Sequence, residues 1–194
     1  PAEGRMLLDG TDAREYDAAS IRARAGLVTS EAALFNDTVL QNVALGRKVV
    51  TLSEVERACK AVGAHAFIEA LPEGYQTLLG DWGFSLSAGQ RQKIALARVL
   101  LKDPEIVVLD EATAHLDGPA EEEVLSALET VLSGRTVVTI AHELRAVGGA
   151  DGIAVMSEGG VVERGTHAEL MQANGLYRRL FDLETAVRRP AQRP

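Results

Sequence analysis

Short apolar runs and a helical apolar stripe dominate the pattern of this chain. The runs at residues 106–109 and 136–141 are rich in β-branched residues and bounded by Pro, Gly or charge, which is typical of central parallel strands buried on both faces. Between Ser87 and Leu101 apolar residues recur at helical spacing, and Ser87 with Gln90 has the form of a capping box. The pattern therefore predicts a helix followed by two buried strands.

Further helices and one hairpin are predicted in the rest of the chain. The longest helix is expected from Leu52 to Leu71, where Ser53 and Glu56 have capping-box spacing and Pro72-Glu73-Gly74 follows as a stop signal. The remaining predicted elements are a short strand at Met6 to Leu8, a strand end at Gly26 to Val28, a helix from Gly118 to Leu132, a hairpin of Ile153–Met156 with Val161–Glu163, and two short helices between Ala168 and Leu183. Strands that alternate with helices indicate an α/β protein.

Two acids, Asp110 and Glu111, follow the apolar run at 106–109, and open α/β sheets bind ligands at the carboxyl ends of their strands. One acid there can hold Mg²⁺, usually through water, and a second can orient or deprotonate an attacking water molecule. Gly89, beside the predicted helix start, leaves the backbone approachable for an anion. Taken singly, the acids also fit a solvated strand end, and the Ser-x-x-Gln pattern also fits an ordinary capped surface helix.

Taken together, these segments resemble the nucleotide-binding domains of ATP-binding cassette (ABC) proteins. The four matching motifs are Leu86–Gln90 for the signature motif, Ile106–Glu111 for Walker B with its catalytic Glu, Ala114–Asp117 for the D-loop, and Ile140–His142 for the switch-histidine region. Their order makes the resemblance specific; it runs from Gly4 to about Leu183 and is strongest to exporters. It implies a P-loop NTPase-like α/β fold, with a mostly parallel sheet and an inserted helical subdomain at approximately residues 36–100.

The resemblance also implies a role for individual residues. Asp110 would hold Mg²⁺, Glu111 would polarise the attacking water, and His142 would bind the γ-phosphate of ATP. The residues expected to contact nucleotide are Ser87, Ala88, Gly89 and Gln90 of the signature motif, Asp117 of the D-loop, and Ser30. In the family two cassettes dimerise head to tail, so that the signature motif of one faces the ATP held by the other.

Ser30 departs from the family pattern, because the corresponding position usually carries Gln. A Gln amide reaches Mg²⁺ or the attacking water directly, whereas a Ser hydroxyl needs an intervening water. We therefore expect a weaker metal contact and weaker coupling to the membrane domain, and the departure favours a heterodimer with unequal sites over a homodimer without deciding between them. A shift of the alignment by one or two residues is the alternative explanation.

The phosphate-binding Walker A motif, G-x-x-x-x-G-K-[ST], has no match in the sequence. The four lysines follow Arg, Cys, Gln and Leu rather than Gly. The first residues resemble the stretch that comes after Walker A in the family, so we expect residues 1–185 to form an N-terminally incomplete nucleotide-binding domain. Residues 186–194, rich in Arg and Pro, are expected to be a disordered tail.

Composition excludes several other kinds of protein. The net charge of −8 argues against a nucleic-acid surface, and the single cysteine, Cys59, excludes an intramolecular disulfide and a Cys-rich metal site. No run approaches the roughly 18 apolar residues of a membrane helix, so we expect the chain itself to be soluble. The resemblance to exporters implies that it works at the cytoplasmic face of the plasma (inner) membrane, as part of a transporter. His65, His115 and His167 are assigned no catalytic role, and the acids at 121–123 are explained by charge at a helix N-terminus.

The function that the resemblance implies is ATP binding and hydrolysis that powers export of a substrate across a membrane. The expected partners are a second nucleotide-binding domain, identical or different, and the transmembrane domain of an exporter, with ATP and Mg²⁺ as cofactors and no nucleic acid. Two alternatives stay open: a non-catalytic cassette that only presents its signature helix to a partner, and a soluble ABC ATPase of DNA repair or translation. The transported substrate is not specified, because selectivity in such exporters lies mainly in transmembrane helices.

Overall fold

The computed structural model describes residues 4–80, 86–114, 116, 118–141 and 144–188. It divides into two units, Pro1–Ile140 and Ala141–Pro194, which are described in turn. The strands of the first unit are β1 (Leu7–Leu8), β2 (Thr11–Asp12), β3 (Ala25–Thr29), β4 (Ile106–Asp110) and β5 (Thr136–Ile140). Its α-helices are α1 (Ala18–Arg24), α2 (Val39–Ala44), α3 (Leu52–Ala61), α4 (His65–Glu69), α5 (Ala88–Lys102) and α6 (Gly118–Leu132).

A parallel sheet of β3, β4 and β5, in that order, organises the first unit. The strands are paired without a register shift, so that Thr29, Asp110 and Ile140 lie side by side at their carboxyl ends. Helices lie between successive strands in sequence, as parallel pairing requires. The predicted α/β class with a parallel sheet is confirmed.

Strands β3 and β4 are buried on one face only, and β5 is buried on neither, so the prediction of central strands covered on both faces is wrong. Val107 and Leu109 of β4 are buried in a core shared with α5 and α6, whereas Ile106 and Val108, which point to the other face, are half-buried. Every residue of β5, the edge strand next to β4, is exposed, because neither of its faces is covered by the part of the chain that the structure describes. A run of β-branched residues predicts an extended backbone, but it does not show whether other elements pack on both faces of the strand.

The helix predicted from Leu52 to Leu71 is divided into α3 and α4. Gly63, between them, has a φ of 66°, a left-handed conformation that interrupts a helix. The capping box is made by Thr51 with Glu54, not by Ser53 with Glu56. Two overlapping frames satisfy the same motif, and the structure starts α3 in the frame of Thr51, with Val55, Ala58 and Cys59 buried on the face that packs against α5.

The long helix α5 begins and ends at sharp signals. The capping box of Ser87 and Gln90 is confirmed, with both reciprocal hydrogen bonds present. At the other end Asp103 adopts a left-handed conformation with φ of 55°, and Pro104 follows. The predicted bounds of α6 are confirmed as well.

The second unit is a hairpin followed by two helices. The hairpin joins β6 (Ile153–Ser157) to β7 (Gly160–Gly165), and the helices are α7 (His167–Ala173) and α8 (Leu176–Arg188). Glu158 and Gly159 both have positive φ, as a two-residue primed turn requires. The helix α8 extends to Arg188, and the rest of the predicted tail, residues 189–194, lies outside the described residues.

Candidate functional site

The carboxyl ends of the three parallel strands bring the predicted acids next to Ser30. Asp110 is the last residue of β4 and is half-buried, and Ser30 directly follows β3, whose last residue pairs with Asp110. The backbone N–H of Glu111 donates to the carbonyl of Ile140 at 3.0 Å, which fixes the start of the loop after β4 to the end of β5. One edge of the sheet therefore presents two carboxylates and a hydroxyl.

Glu111 has a left-handed backbone with φ of 51°, which is uncommon for a residue with a Cβ and is found most often at turns and functional sites. The turn is held by the Ala114 N–H, which donates to the Glu111 carbonyl at 2.9 Å. The chain thus leaves the strand abruptly after Asp110. The two adjacent acids consequently do not continue the alternation of an extended strand.

The predicted signature segment forms the N-terminus of α5. The Ser87 Oγ accepts the N–H of Gln90 at 3.2 Å, and the Gln90 side chain accepts the N–H of Ser87 at 2.9 Å. Ser87 and Ala88 are exposed, whereas Gly89 is buried. Helix geometry leaves the first-turn amides without partners inside the helix, and Ser87 caps that of Gln90; together with the helix dipole, this end still favours an anion.

Gly89 is buried because α6 passes close to it. A Cβ atom built on Gly89 would lie 3.1 Å from the Cβ of Ala120. One turn further along α5, Lys93 forms an ion pair with Glu123 of α6 at 2.5 Å, and this lowers the pKa of Glu123. Glu123 is thus explained by its lysine partner, and no group of three or more metal-ligating side chains is found within the ranges that the structure describes.

Gln92, which the sequence patterns did not single out, ties α5 to both strand ends. Its side chain is only 2% exposed, and its Nε2 donates to the carbonyls of Thr29 at 3.0 Å and Ala112 at 2.7 Å. Thr29 directly precedes Ser30, and Ala112 directly follows Glu111. The available signal was a polar residue on the apolar face of an amphipathic helix.

Arg98, also on α5, holds the loop that follows Ser30. Its Nε donates to the carbonyl of Asn42 at 2.8 Å and its Nη1 to that of Ala33 at 3.1 Å, and the guanidinium lies 5.9 Å from the ring centre of Phe35. Burial lowers the pKa of this guanidinium. The buried Asn42 side chain bridges backbone groups of residues 35–38, so the whole loop is tied to one helix.

Three predicted positions lie outside the described residues, namely His115, Asp117 and His142. The other two histidines are each bonded to a tyrosine through Nδ1: His65 to Tyr75 at 2.9 Å, and His167 to Tyr177 at 2.8 Å. Both tyrosines are buried. Each histidine is thus held by a contact with a buried tyrosine.

The donor set at the strand ends fits a magnesium ion bound together with a polyphosphate. Mg²⁺ keeps several waters and is usually held by one or two carboxylates plus phosphate oxygens rather than by an all-protein cage. Asp110 supplies a partly accessible carboxylate, Glu111 a second acid, and Ser30 a short hydroxyl. The phosphate cradle itself has no counterpart in the sequence, because none of the lysines lies in a Gly-Lys-Ser/Thr context.

The chain is similar to membrane transport proteins along almost its whole length. A family model described as "ABC transporter" matches residues 1–114. The ATP-dependent lipid A-core flippase of Pseudomonas aeruginosa is 45% identical over 97% of the chain, and ABC transporter B family member 19 of Arabidopsis thaliana is 46% identical over 96%. The structure of a bacterial Atm1-family ABC exporter with ATP bound has a TM-score of 0.86 and 38% identity over 99% of the chain. The predicted fold and the resemblance to exporters are therefore confirmed.

These relatives are much longer than the chain. It spans 32% of the flippase, 15% of the plant transporter and 33% of the exporter of known structure. Among the described residues no helix combines the length and the apolar character that crossing a membrane requires. The similarity is therefore to one part of each transporter.

Proposed function

Because this chain belongs to the ABC transporter family, we propose that it binds and hydrolyses ATP to power the export of a substrate across a membrane. The observation that carries the proposal is the acid pair Asp110–Glu111 at the carboxyl end of β4, in register with the strand that precedes Ser30. An acid at this place is suited to magnesium, and a neighbouring acid to the attacking water. ATP and Mg²⁺ are the cofactors proposed.

Each site residue has a distinct proposed role. Asp110 holds Mg²⁺, Glu111 orients and polarises the attacking water, and His142 contacts the γ-phosphate. Ser87 and its neighbours Ala88, Gly89 and Gln90 face the nucleotide of a second cassette, together with Asp117. Phosphoryl transfer to water depends mainly on positioning and on charge stabilisation, so the loss of any one of these groups is expected to slow turnover strongly.

The proposed assembly pairs this chain with a second nucleotide-binding domain and with the transmembrane domain of an exporter, at the cytoplasmic face of the membrane. The signature helix α5 supports the pairing, because its capped N-terminus exposes Ser87 and Ala88. Substrate selection is assigned to the transmembrane domain. Residues 36–100 are proposed to form the helical subdomain that faces it.

The decisive experiment is the Glu111→Gln variant in the full-length transporter, with Glu129→Gln as the control. Glu129 is an exposed acid on α6, so the control repeats the chemical change away from the strand ends. We expect Glu111→Gln to abolish nearly all ATP turnover and to retain binding of Mg-ATP, because the amide cannot polarise the water. Turnover at the wild-type rate in Glu111→Gln would overturn the assignment.

Ser30 supports a second candidate, a cassette that binds nucleotide but turns it over slowly and acts mainly by presenting α5 to its partner. A hydroxyl on a single carbon reaches less far than the Gln amide usual at this position. The Ser30→Gln variant tests this candidate. Faster ATP turnover in Ser30→Gln than in the wild type supports a weakened site, whereas unchanged or slower turnover contradicts it.

A further inference from the structure

Gln92 is a costly residue to bury in a helix that packs against a sheet. It is one of two polar side chains, with Asn42, that are fully buried in the described part of the chain. A buried amide is tolerated only when its hydrogen bonds are made. Both N–H groups of Nε2 are used, one toward Thr29 and one toward Ala112.

The two acceptors of Gln92 come from separate segments of the site. The Thr29 carbonyl is at the end of β3, one residue before Ser30, and the Ala112 carbonyl is one residue after Glu111. They are 63 and 20 residues from Gln92 along the chain. A single planar amide therefore joins the end of β3 to the loop after β4. These are the places where the residues proposed to bind Mg²⁺ and to orient the attacking water lie.

The same helix fixes the far side of the loop after β3. Arg98 donates to the carbonyls of Ala33 and Asn42, so the segment from Thr29 to Asn42 is attached to α5 at both of its ends. The N-terminus of α5 carries Ser87, five residues before Gln92. Ser87 and Gln92 therefore lie on one continuous helix, which connects its N-terminus physically to both strand ends.

We propose that Gln92 is a positioning residue, which couples the placement of the signature segment to the placement of Ser30 and of the Asp110–Glu111 pair at the strand ends. The inference rests on the proposed function, because it assumes that the strand ends hold the reacting groups. When α5 docks on the nucleotide of the second cassette, Gln92 sets the geometry of this chain's own acid pair. The two ATP sites of the dimer are linked through it.

The test uses the full-length transporter with Gln92→Glu and Gln92→Met. The carboxylate presents lone pairs to two carbonyls instead of N–H groups, whereas Met keeps the length and the packing of the side chain but donates nothing. The control is Gln172→Glu, an exposed position on α7 in the second unit. The measurements are kcat and KM for Mg-ATP, the Hill coefficient for ATP, and the melting temperature of each variant.

We expect both Gln92 variants to lose about ten- to a hundred-fold in kcat, since misplacing a reacting group by about 1 Å has effects of this order. KM should change less than about threefold, because the residues that hold nucleotide are untouched, and the Hill coefficient should fall toward one. Gln172→Glu should match the wild type. Gln92→Met keeps the test valid if Gln92→Glu does not fold.

Three results separate the possible failures. A wild-type kcat in folded Gln92→Met overturns the inference, even if its melting temperature is lower, because the residue then serves stability alone. A raised KM at unchanged kcat also overturns it, since Gln92 would then act on binding. An absence of ATP turnover in the wild-type transporter itself contradicts the proposed function rather than the role of Gln92.

Discussion

Gly26 of β3 offers a sharp test of how closely the sheet and the signature helix are packed. A Cβ atom at this position would lie 2.8 Å from Cγ1 of Val99 on α5 and 2.9 Å from Cγ of Pro104. Non-bonded carbon atoms have their optimum at about 3.5–4.0 Å. The Gly26→Ala variant therefore requires α5 or the Pro104 segment to move away from β3.

Neither neighbour can yield by a simple change of rotamer. Val99 is 4% exposed and branched at Cβ, and Pro104 is a buried ring. The Pro104 segment is also tied to the end of α1 and to β3: the N–H of Glu105 donates to the carbonyl of Arg24 at 3.0 Å, and Lys102 Nζ donates to that of Ala25 at 2.7 Å. Overpacking of this kind costs about 1–3 kcal/mol. Ala loses less conformational entropy than Gly on folding, which offsets about 0.5–1 kcal/mol of that cost. We expect a net loss of about 1–2 kcal/mol in the free energy of unfolding.

The assay is urea unfolding of the chain, followed by far-ultraviolet circular dichroism. With an m value of about 2 kcal/mol/M, the loss lowers the midpoint by roughly 0.5–1 M. Gly149→Ala is the matched control, because a Cβ there meets no atom within 4 Å and its φ is not in the left-handed region. That control should stay within about 0.5 kcal/mol of the wild type.

A midpoint for Gly26→Ala that equals or exceeds the wild-type value would refute this reasoning. The double variant Gly26→Ala/Val99→Ala gives an independent test. Val99→Ala removes one of the two groups that the new methyl group meets, so the double variant should lose less free energy of unfolding than the two single variants lose in total. Strict additivity of the two changes would show that the added methyl group does not meet Val99.

Two further predictions concern Cys59 and Ser87. Burial raises the pKa of the Cys59 thiol to about 12. Above about pH 9 only the unfolded state releases the thiol proton, so the free energy of unfolding falls by roughly 1.4 kcal/mol per pH unit from there to about pH 12, whereas below about pH 9 the contribution of the neutral thiol is complete. Urea midpoints at pH 8, 9 and 10 should show this decline in the wild type and a shallower one in Cys59→Ala, and equal slopes would contradict it. Ser87→Ala removes the capping box of α5 and should cost about 1 kcal/mol in urea unfolding, whereas Ser87→Thr should cost less; equal stability of Ser87→Ala and the wild type would show that the cap contributes nothing.

The sequence by itself determined the local elements that carry the proposed chemistry. The capping box at Ser87, the strand that ends at Asp110 and the helix that ends at Leu132 depend on neighbouring residues, so composition and spacing were sufficient to predict them. The order of four motifs was sufficient for the family. Even here local information had a limit, since Thr51 rather than Ser53 caps α3 although both fit the same pattern.

Only the tertiary structure decided which apolar residues are covered and which distant groups meet. The exposed edge of β5 could not be read from Thr136–Ile140, because burial depends on what packs beside a strand and not on its own composition. The role of Gln92 depends on Thr29, which is 63 residues away in the sequence. Every residue has a backbone carbonyl, so the sequence does not show which carbonyls a buried amide will bond to. Only the fold determines which of them lie within reach of the side chain.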